Sequence, residues 1–442
     1  MGGVPRPPIP EGPYLVVGLA RSGQAAVQAL VARGERVIAV DSGTPDLGGS
    51  LDGAEVVLGV SGEAFLDQVG AVVCSPGVPT NAPVLGAARR QGLPVIGELE
   101  LAWRLVDAPV IAITGTNGKT TTTELVSHVL RTSGVSVAAV GNVGTAYSSL
   151  ALPGAERPEV VVCEVSSFQL ETATEFLPDV GVLLNLASDH LDRHGTVRDY
   201  HQTKLSMFAR QTPAQVAVLP DALPADEAPG SGARVRFGPL DGTDLRITGE
   251  ELSWRGERVV SRQAISIPGP QNAENAAAAA AATISFGVAI DAVGTALQSF
   301  EGVPHRLQPI IERDGVLWVN DSKATNVAAA AVALRSFGGR PVHVILGGTG
   351  KGEDYGPLRE PLAAYATHAY LIGEEAAAIG AAIDDVVATT RSGDLTSAVS
   401  SARAAAVSGE VVLLAPACAS YDQFRDFEER GQVFSDLARR PD

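Results

Sequence analysis

Cysteine and positive charge are both scarce in this sequence. Its three cysteines, Cys74, Cys163 and Cys418, are far apart, odd in number and without metal-ligand spacing, so we expect a reducing compartment and no disulfide framework. Acidic residues outnumber basic ones by 50 to 33, which gives a formal net charge of −17. Because there is no long basic run either, nucleic acid and anionic membrane are poor candidates for the main partner.

Long hydrophobic runs are also missing. No apolar segment reaches the roughly 20 residues of a membrane span, and residues 1–12 are rich in proline and glycine, unlike a signal peptide. The alanine-rich residues 276–282 are too few to span a membrane, and we interpret them as part of a buried helix. We therefore expect a cytoplasmic protein, and at about 150 residues per domain its length predicts about three domains.

The most informative stretch is residues 110–124, where an apolar strand pattern breaks into Gly-Thr-Asn-Gly-Lys-Thr and restarts with helical spacing. A helix that begins at Lys119 would offer unpaired N–H groups and the positive end of its dipole to phosphate oxygens. Lys119 would meet the β- and γ-phosphates and Thr120 a phosphate-bound Mg²⁺. The turn is shorter than the general P-loop, since Ile113 stands where its first glycine is expected. The structural alternative is a glycine-rich turn with a surface lysine.

Residues 14–41 read as a strand, a glycine turn, a helix and a second strand. Ala20 stands at the middle glycine position of the dinucleotide fingerprint, and Asp41 lies near the distance expected for a ribose contact. One hypothesis is that this segment binds a diphosphate near Gly18 and a ribose or base near Asp41. A Rossmann-like fold that binds nothing here is the other. A nicotinamide-dependent oxidoreductase built on this segment would leave the phosphate loop unexplained.

Polar residues follow other strands of the predicted central sheet. Glu164 ends one strand, and His190 lies in a loop after the next. Ligands of open α/β sheets bind beyond the carboxyl ends of strands, where a carboxylate holds Mg²⁺ or orders a water and an imidazole ligates metal or takes a proton. Surface or structural roles are the alternatives. Local evidence alone makes Lys204 a solvated helix residue, and Asn272 with Asn275 helix caps.

The last third of the chain predicts another α/β unit in which three loops follow strands. Parallel strands bring such loops to one edge of a sheet, where their side chains could hold a small anion with charge-assisted bonds. Ordinary solvated loop residues are the alternative. The side chains concerned are Asp321, Lys323, Thr325, Lys351 and Ser420.

Taken together, these motifs resemble the Mur ligase family over nearly the whole chain. The phosphate loop is the strongest mark of the family, while residues 320–326 and 416–427 are most similar to the branch that adds D-glutamate. The motifs are residues 115–120, 164–170 (Glu-Val-Ser-Ser-Phe-Gln-Leu), 188–190 (Ser-Asp-His), Asn272 with Asn275, 304–306 (Pro-His-Arg), 320–326 (Asn-Asp-Ser-Lys-Ala-Thr-Asn) and 416–427 (Pro-Ala-Cys-Ala-Ser-Tyr-Asp-Gln-Phe-Arg-Asp-Phe).

The resemblance implies a three-domain α/β fold and an activity. A Rossmann-like domain at residues 1–97 would bind the UDP-substrate, a central P-loop ATPase domain with a small antiparallel patch at residues 98–302 would bind ATP, and a Rossmann-like domain at residues 303–442 would bind the amino acid. The implied enzyme is a cytoplasmic, monomeric, ATP-dependent ligase. It would join D-glutamate to UDP-N-acetylmuramoyl-L-alanine through an acyl phosphate, for peptidoglycan and hence for cell wall, cell shape and cell division.

The resemblance also implies residue roles. Lys119, His190 and Lys204 would be catalytic, with Lys204 carbamylated, and two Mg²⁺ ions would be held by Thr120, Glu164, His190 and Lys204. The ATP site would comprise Gly115, Thr116, Asn117, Gly118, Lys119, Thr120, Thr121, Asn272, Asn275, Arg306 and Asp321. The UDP-substrate site would comprise Gly18, Leu19, Ala20, Asp41, Ser42, Ser75, Asn142 and Ser166, and the amino-acid site Lys323, Thr325, Lys351, Ser420 and Phe427.

Two further alternatives stay open at this point. A sister ligase of the same family would add a different amino acid, and its selectivity would depend on pocket geometry. A nucleotide switch that binds GTP at Lys119 would need a guanine-type Asn-Lys-x-Asp sequence, which the chain lacks.

Overall fold

The computed structural model of the protein describes residues 6–47, 51–142, 144–224, 227–267, 269–350 and 354–440. The chain forms two compact units. The first runs up to Ala264 and includes Glu274–Gln298, and the second consists of Ile265–Ala273 and the chain from Ser299 onward. The predicted boundaries after residues 97 and 302 stay predictions.

A five-stranded parallel sheet opens the first unit. Its elements are β1 (Tyr14–Val17), α1 (Arg21–Ala32), β2 (Val37–Asp41), β3 (Ala54–Leu58), a 3₁₀ turn (Glu63–Gln68), β4 (Ala71–Cys74), α2 (Pro83–Arg90), β5 (Val95–Gly97) and α3 (Glu98–Leu105), and the strand order is β3-β2-β1-β4-β5. Tyr14 and Val16 pack into one hydrophobic cluster, and Leu15 and Val17 into another. The strand is apolar on both faces because helices cover both sides of the sheet.

A nine-stranded sheet completes the first unit. Its elements are β6 (Val110–Thr114), α4 (Lys119–Thr132), β7 (Val137–Gly141), a 3₁₀ turn (Tyr147–Ala151), β8 (Val160–Glu164), α5 (Ser167–Leu170), β9 (Val180–Leu183), α6 (Leu191–His194), α7 (Val197–Leu205), a 3₁₀ turn (Ser206–Phe208), β10 (Val216–Pro220), β11 (Ala233–Gly238), β12 (Leu245–Ile247), β13 (Glu251–Trp254), β14 (Glu257–Ser261) and a 3₁₀ turn (Arg262–Ala264). The helices α8 (Pro270–Phe286) and α9 (Ile290–Ser299) follow, and their residues from Glu274 to Gln298 belong to this unit.

The strand order of this sheet is β14-β13-β12-β11-β10-β9-β6-β8-β7. The predicted antiparallel patch is confirmed: β13 runs antiparallel to both β12 and β14, and it extends the edge of the otherwise parallel sheet. The alanines at 276–282 are fully buried in α8, as predicted. Within the described residues, none of the helices combines the length and the apolar character needed to cross a bilayer.

The second unit is built on a six-stranded sheet. Its elements are β15 (Gln308–Arg313), β16 (Val316–Asn320), α10 (Val327–Arg335), β17 (Val342–Gly347), a 3₁₀ turn (Gly356–Leu358), α11 (Arg359–Tyr365), β18 (Ala366–Ile372), α12 (Ala376–Ile383), β19 (Ala388–Gly393), α13 (Leu395–Ala405), β20 (Val411–Leu414) and α14 (Phe427–Arg439). The order is β15-β16-β20-β17-β18-β19, with β15 antiparallel and the other strands parallel.

Strand order decides where the candidate site residues meet. In the first unit β9, β6 and β8 are neighbours, so the phosphate loop after β6, Glu164 at the end of β8 and the loop after β9 lie at one sheet edge. In the second unit β16, β20 and β17 are neighbours in the same way. Open α/β sheets bind ligands at such carboxyl edges.

Candidate active site

The phosphate loop, residues 115–120, has the conformation that its glycines predict. Gly115 and Gly118 have φ angles of +154° and +86°, and α4 begins at Lys119 as expected. A Cβ at Gly118 would collide with Oδ1 of Asn275, and one at Gly115 would lie 2.9 Å from Cβ of Leu184. Glycine is therefore required here by both backbone conformation and close packing. The start of α4 at Lys119 places the positive end of a helix dipole at this loop, which favours an anion.

Asn185, which the sequence analysis did not single out, holds the phosphate loop in place. The Asn117 N–H donates to Oδ1 of Asn185 at 2.9 Å, and Nδ2 of Asn185 donates back to the Asn117 carbonyl at 3.1 Å. The Thr116 N–H donates to the Asn185 carbonyl at 3.1 Å, and the Ala187 N–H donates to the Thr116 hydroxyl at 3.0 Å. The loop after β9 thus fixes the loop after β6. The only feature of the sequence that pointed to Asn185 was its position at the end of a predicted strand.

Two lysines converge on the phosphate loop. The Lys119 ammonium donates to the carbonyls of Gly115 and Thr116, both at 2.9 Å, and Nζ of Lys204 donates to the same Gly115 carbonyl at 2.9 Å. Lys204 is only 1% exposed, so the local interpretation as a solvated lysine is wrong. Its Nζ lies 4.5 Å from the centroid of the Tyr200 ring.

The electrostatic consequence falls on Lys204. Burial, and then the nearby charge of Lys119, lower the pKa of Lys204 to about 7, while Asp189 acts weakly in the opposite direction. Burial disfavours the ammonium because it removes the charge from water, and a like charge adds to that effect. A substantial fraction of the amine is therefore neutral, and nucleophilic, near neutral pH.

Glu164 is the strongest candidate ligand for a cation. It is 2% exposed at the end of β8, and its Oε1 accepts a hydrogen bond from Nδ2 of Asn142 at 2.9 Å. Its Oε2 is buried and has no hydrogen-bond partner among the described residues. A buried, unsatisfied carboxylate oxygen is costly unless a cation or water completes it. This oxygen fits Mg²⁺, which prefers one or two carboxylates and otherwise keeps water and phosphate ligands.

The other predicted metal residues lie around the same edge. Thr120 is buried in the first turn of α4, and His190 stands at the start of α6 with its side chain 47% exposed. Its ring Nε2 lies 3.4 Å from Oδ2 of Asp189. In the described part of the chain, no three His, Cys, Asp or Glu side chains gather closely enough to hold a metal by themselves.

The predicted UDP-substrate turn is tightly built. Gly18 has φ +86°, and a Cβ there would lie 2.7 Å from Cγ2 of Val78 and 3.0 Å from Cβ of Ser75. Both carboxylate oxygens of Asp41 accept backbone N–H bonds, from Leu19 at 2.7 Å and Gly43 at 2.8 Å. Asp41 therefore organises the turn. Nothing in these contacts tests its predicted contact with ribose or base.

An open cavity of about 600 Å³ adjoins this turn. It is lined by Ala20, Arg21, Gln24, Ala25, Gln28, Asp46, Gly144, Thr145, Ala146 and Ser149. Nη2 of Arg21 donates to the carbonyl of Asn142 at 3.5 Å, so Asn142 connects the cavity to Glu164. Ser166 caps α5, since its hydroxyl accepts from the Gln169 N–H at 3.3 Å in a capping box, and its predicted contact with the UDP-substrate stays a prediction. Ser42 is exposed beside the turn.

Three loops of the second unit meet at the carboxyl ends of β16, β17 and β20, and we call residues 321–326, 348–350 and 415–421 the three-loop edge. The predicted convergence is confirmed. Thr349 and Ala419 exchange backbone hydrogen bonds at 2.9 and 3.1 Å. Ser420 is 2% exposed, and the Thr325 N–H donates to the Lys323 carbonyl at 2.8 Å. The predicted Lys351 lies outside the described residues.

Arg430 of α14, which the sequence analysis missed, ties the three-loop edge together. Its fully buried guanidinium donates to the carbonyls of Ser322 at 2.9 Å, Cys418 at 3.1 Å, Ala419 at 3.2 Å and Gly347 at 3.5 Å. Its Nε also donates to the Ser322 hydroxyl at 3.0 Å. Burial lowers the pKa of Arg430 to about 10, so it stays charged at neutral pH. The sequence did contain an indication of this role, because Arg430 lies one helical turn before Phe434 on the apolar face of α14.

The remaining predicted residues are distributed between the units. Asn275 belongs to the first unit, where its Oδ1 accepts from the Thr122 hydroxyl at 3.3 Å, whereas Asn272 belongs to the second. Asp321 is buried in the second unit, and its Oδ1 accepts from the Leu307 N–H at 3.1 Å. Burial raises the pKa of Asp321 to about 6, although the charge of Arg306 acts to lower it. Nζ of Lys323 lies 5.2 Å from the Phe427 ring centroid. Thr121 is buried in the first turn of α4.

Three family models match successive parts of the chain. They are described as the Mur ligase MurD-like N-terminal domain at residues 13–97, the Mur ligase middle domain at residues 113–283 and the Mur ligase glutamate ligase domain at residues 305–418. The UDP-N-acetylmuramoylalanine–D-glutamate ligases of Pelotomaculum thermopropionicum and Anaeromyxobacter dehalogenans are 40% and 42% identical to the chain, with 96% of each sequence covered. The chain belongs to the Mur ligase family.

Solved structures agree on the Mur ligase fold. The UDP-N-acetylmuramate-alanine ligase of Thermotoga maritima matches with a TM-score of 0.60 at 19% identity, over 97% of this chain and 99% of that one. The MurF ligase of the same organism, solved with ADP, matches with a TM-score of 0.60 at 21% identity, over 96% and 98%. Within the Mur ligase family, identities this low support the fold, and the predicted three-domain α/β architecture is confirmed.

Proposed function

We propose that the protein is an ATP-dependent ligase that joins D-glutamate to UDP-N-acetylmuramoyl-L-alanine in peptidoglycan precursor synthesis. The observation that carries the reaction type is the pair of lysines on the Gly115 carbonyl, at the same sheet edge as Glu164, whose Oε2 has no hydrogen-bond partner among the described residues. The substrate assignment rests on relatives at about 40% identity that bear this name and match over nearly the whole chain.

The chemistry begins with activation of a carboxylate. The L-alanyl carboxylate is a poor acyl donor, so one of its oxygens attacks the γ-phosphorus of ATP, ADP leaves, and an acyl phosphate forms. Lys119 and the N–H groups at the start of α4 stabilise the charge on the transferring phosphoryl group, which is the main requirement of phosphoryl transfer. Thr120, Glu164 and His190 would hold Mg²⁺, which would neutralise part of that charge.

The second half is amide formation. The neutral amine of D-glutamate attacks the acyl carbon, a tetrahedral intermediate forms, and inorganic phosphate leaves while the amine loses a proton. Lys323, Thr325, Ser420 and Phe427 would hold the incoming amino acid, with Lys351 as a further candidate. Arg306, Asp321, Asn272 and Asn275 would serve ATP, and the turn at Gly18 with Asp41 the uridine nucleotide.

Lys204 would act as a carbamate. Its buried amine, with a pKa of about 7, is sufficiently neutral to add CO₂, and addition replaces a cation beside Lys119 by an anion. That anion would support a second Mg²⁺. The proposal extends to a cytoplasmic location, since all three cysteines are buried and none of them forms a disulfide. It also extends to a monomer.

The deciding experiment is phosphate release from ATP by purified protein with Mg²⁺. UDP-N-acetylmuramoyl-L-alanine and D-glutamate are supplied singly and together, and L-alanine, L-lysine and meso-diaminopimelate replace D-glutamate in parallel. Release that requires both the nucleotide-sugar and D-glutamate is expected. Release with another amino acid would make the protein a sister ligase, and no release with any combination would overturn the proposed activity.

A further inference from the structure

His190 is held in an unusual conformation by its surroundings. Its φ and ψ angles are +49° and +39°, a left-handed region that residues other than glycine rarely occupy. Its side chain is half-exposed, so burial does not fix it. Instead its carbonyl accepts the N–H groups of Arg193 at 3.2 Å and His194 at 3.0 Å. The place of the imidazole therefore depends on where the short helix α6 is anchored.

Arg193 anchors α6 to α5. Its Nη2 and Nε donate to Oε2 of Glu171 at 2.5 and 3.0 Å, and both side chains are nearly buried. Its guanidinium lies 4.2 Å from the centroid of Phe168, whose ring is 4.9 Å from that of His190. His194 adds a second link, with Nε2 3.0 Å from the Ser167 hydroxyl. We call Arg193, Glu171 and Phe168 the Arg193 clasp.

The clasp joins the segments that carry two of the candidate metal ligands, Glu164 and His190. α5 begins three residues after Glu164, and α6 begins directly after His190. Each ligand is thus connected by only a few residues to a helix, and the two helices are joined by the Arg193 guanidinium and by the His194–Ser167 contact. A planar guanidinium donates through several N–H groups, so it fixes the orientation of its partners as well as their distance. A single ammonium does not fix the orientation.

The same guanidinium also reaches the UDP-substrate turn. Nη2 of Arg193 donates to the carbonyl of Val78 at 3.0 Å, and Nη1 lies 3.5 Å from the carbonyl of Gly77. The Val78 side chain is the group packed against Gly18, which leaves no room for a Cβ there. A ligand that orders the turn at Gly18 would therefore order one of the acceptors of Arg193.

We propose that Arg193 is a positioning residue that sets the separation of Glu164 and His190 and couples metal affinity to occupancy of the UDP-substrate turn. The inference rests on the proposed function for the metal roles of those two residues. Outer groups that orient metal ligands typically contribute about 10-fold to 100-fold in affinity. Coupling between two sites typically amounts to about fivefold or more.

The test measures Mn²⁺ binding by electron paramagnetic resonance, with Mn²⁺ as a stand-in for Mg²⁺ and a non-hydrolysable ATP analogue present. The Kd is measured with and without UDP-N-acetylmuramoyl-L-alanine. We expect Arg193→Gln to raise the Kd by about 10-fold to 100-fold and to abolish most of its dependence on the nucleotide-sugar. Arg193→Lys should restore little, because one ammonium cannot replace the fork.

Arg210→Gln is the matched control, since Arg210 pairs with Glu175 at 2.8 Å on the same unit with both side chains about half exposed. It should change neither the Kd nor its dependence on the nucleotide-sugar. If Arg193→Gln does not fold, Glu171→Ala removes the carboxylate that accepts from Arg193 and carries the same expectation for the Kd. A folded clasp variant with the wild-type Kd and wild-type dependence would overturn the inference.

Two further variants separate this inference from the proposed function. Glu164→Gln and His190→Ala should each weaken Mn²⁺ binding. If neither does, the metal assignment fails and the inference fails with it. If both do while the clasp variants bind Mn²⁺ as wild type does, only the role of Arg193 is wrong.

Discussion

The phosphate loop of the first unit and the three-loop edge of the second both lie at the carboxyl ends of parallel strands, but they are held differently. The phosphate loop is one continuous turn whose shape follows from Gly115 and Gly118, with Asn185 as its outside support. In the three-loop edge, by contrast, only one of the three segments turns at a glycine with positive φ, Gly348 at +138°. The three segments come from distant parts of the chain and share one buried guanidinium, that of Arg430. A turn determined by glycines can be predicted from a sequence, whereas a side chain that supports several distant segments cannot.

The comparison predicts that the largest loss of activity follows removal of charge from the phosphate loop. Lys119→Ala should lower the rate of substrate-dependent phosphate release at least about 10³-fold, since charge stabilisation is the main catalytic contribution in phosphoryl transfer. Arg131→Ala, at the exposed end of the same helix, is the control and should stay near wild type. Activity within a few-fold of wild type for Lys119→Ala would refute the role of the loop.

Lys204→Ala should have the next largest effect and lower the rate of phosphate release about 10²-fold, because an anion that supports the metal is lost. Its chemistry also gives a pH signature. After removal of CO₂, reactivation at fixed CO₂ pressure should level off above about pH 7 and fall roughly tenfold per pH unit below it, because only the neutral amine reacts and its pKa is about 7. Carbon-13 NMR with labelled CO₂ should show the carbamate. A reactivation rate that is flat from pH 5 to pH 8 would argue against it.

Replacement of Arg430 tests the support of the three-loop edge. Arg430→Gln should raise the KM for D-glutamate about 10-fold, since leaving buried carbonyls unsatisfied costs ~1–3 kcal/mol and each ~1.4 kcal/mol corresponds to a factor of ten. The KM for ATP should change less than twofold. Arg425→Gln is the control, because that arginine is 82% exposed and precedes the same helix. Equal rises in both KM values would mean that Arg430 supports the fold in general and not the three-loop edge.

The sequence predicted what short-range chemistry determines. The start of α4 at Lys119, the buried helix at 276–282 and the meeting of three loops at one edge all follow from spacing, apolar runs and parallel strand order. The burial of Lys204 could not be predicted from the sequence, because it depends on the Gly115 carbonyl, which is 89 positions away. Arg430 was missed for the same reason, since its acceptors lie up to 108 positions away.

The smallest expected effect concerns Asn185, the outside support of the phosphate loop. Asn185→Ala removes two hydrogen bonds to Asn117, and the loop's glycines and the Thr116 contacts remain, so the KM for ATP should rise only about fivefold, equivalent to ~1 kcal/mol. Asn185→Asp keeps the acceptor for the Asn117 N–H but cannot donate, and it places a negative charge near the phosphate site. If geometry matters most, aspartate should be milder than alanine; if charge matters most, aspartate should be worse and its effect should shrink with added salt. A KM for ATP unchanged in both variants would show that the glycines alone determine the loop, and the contrast with the three-loop edge would then be sharper still.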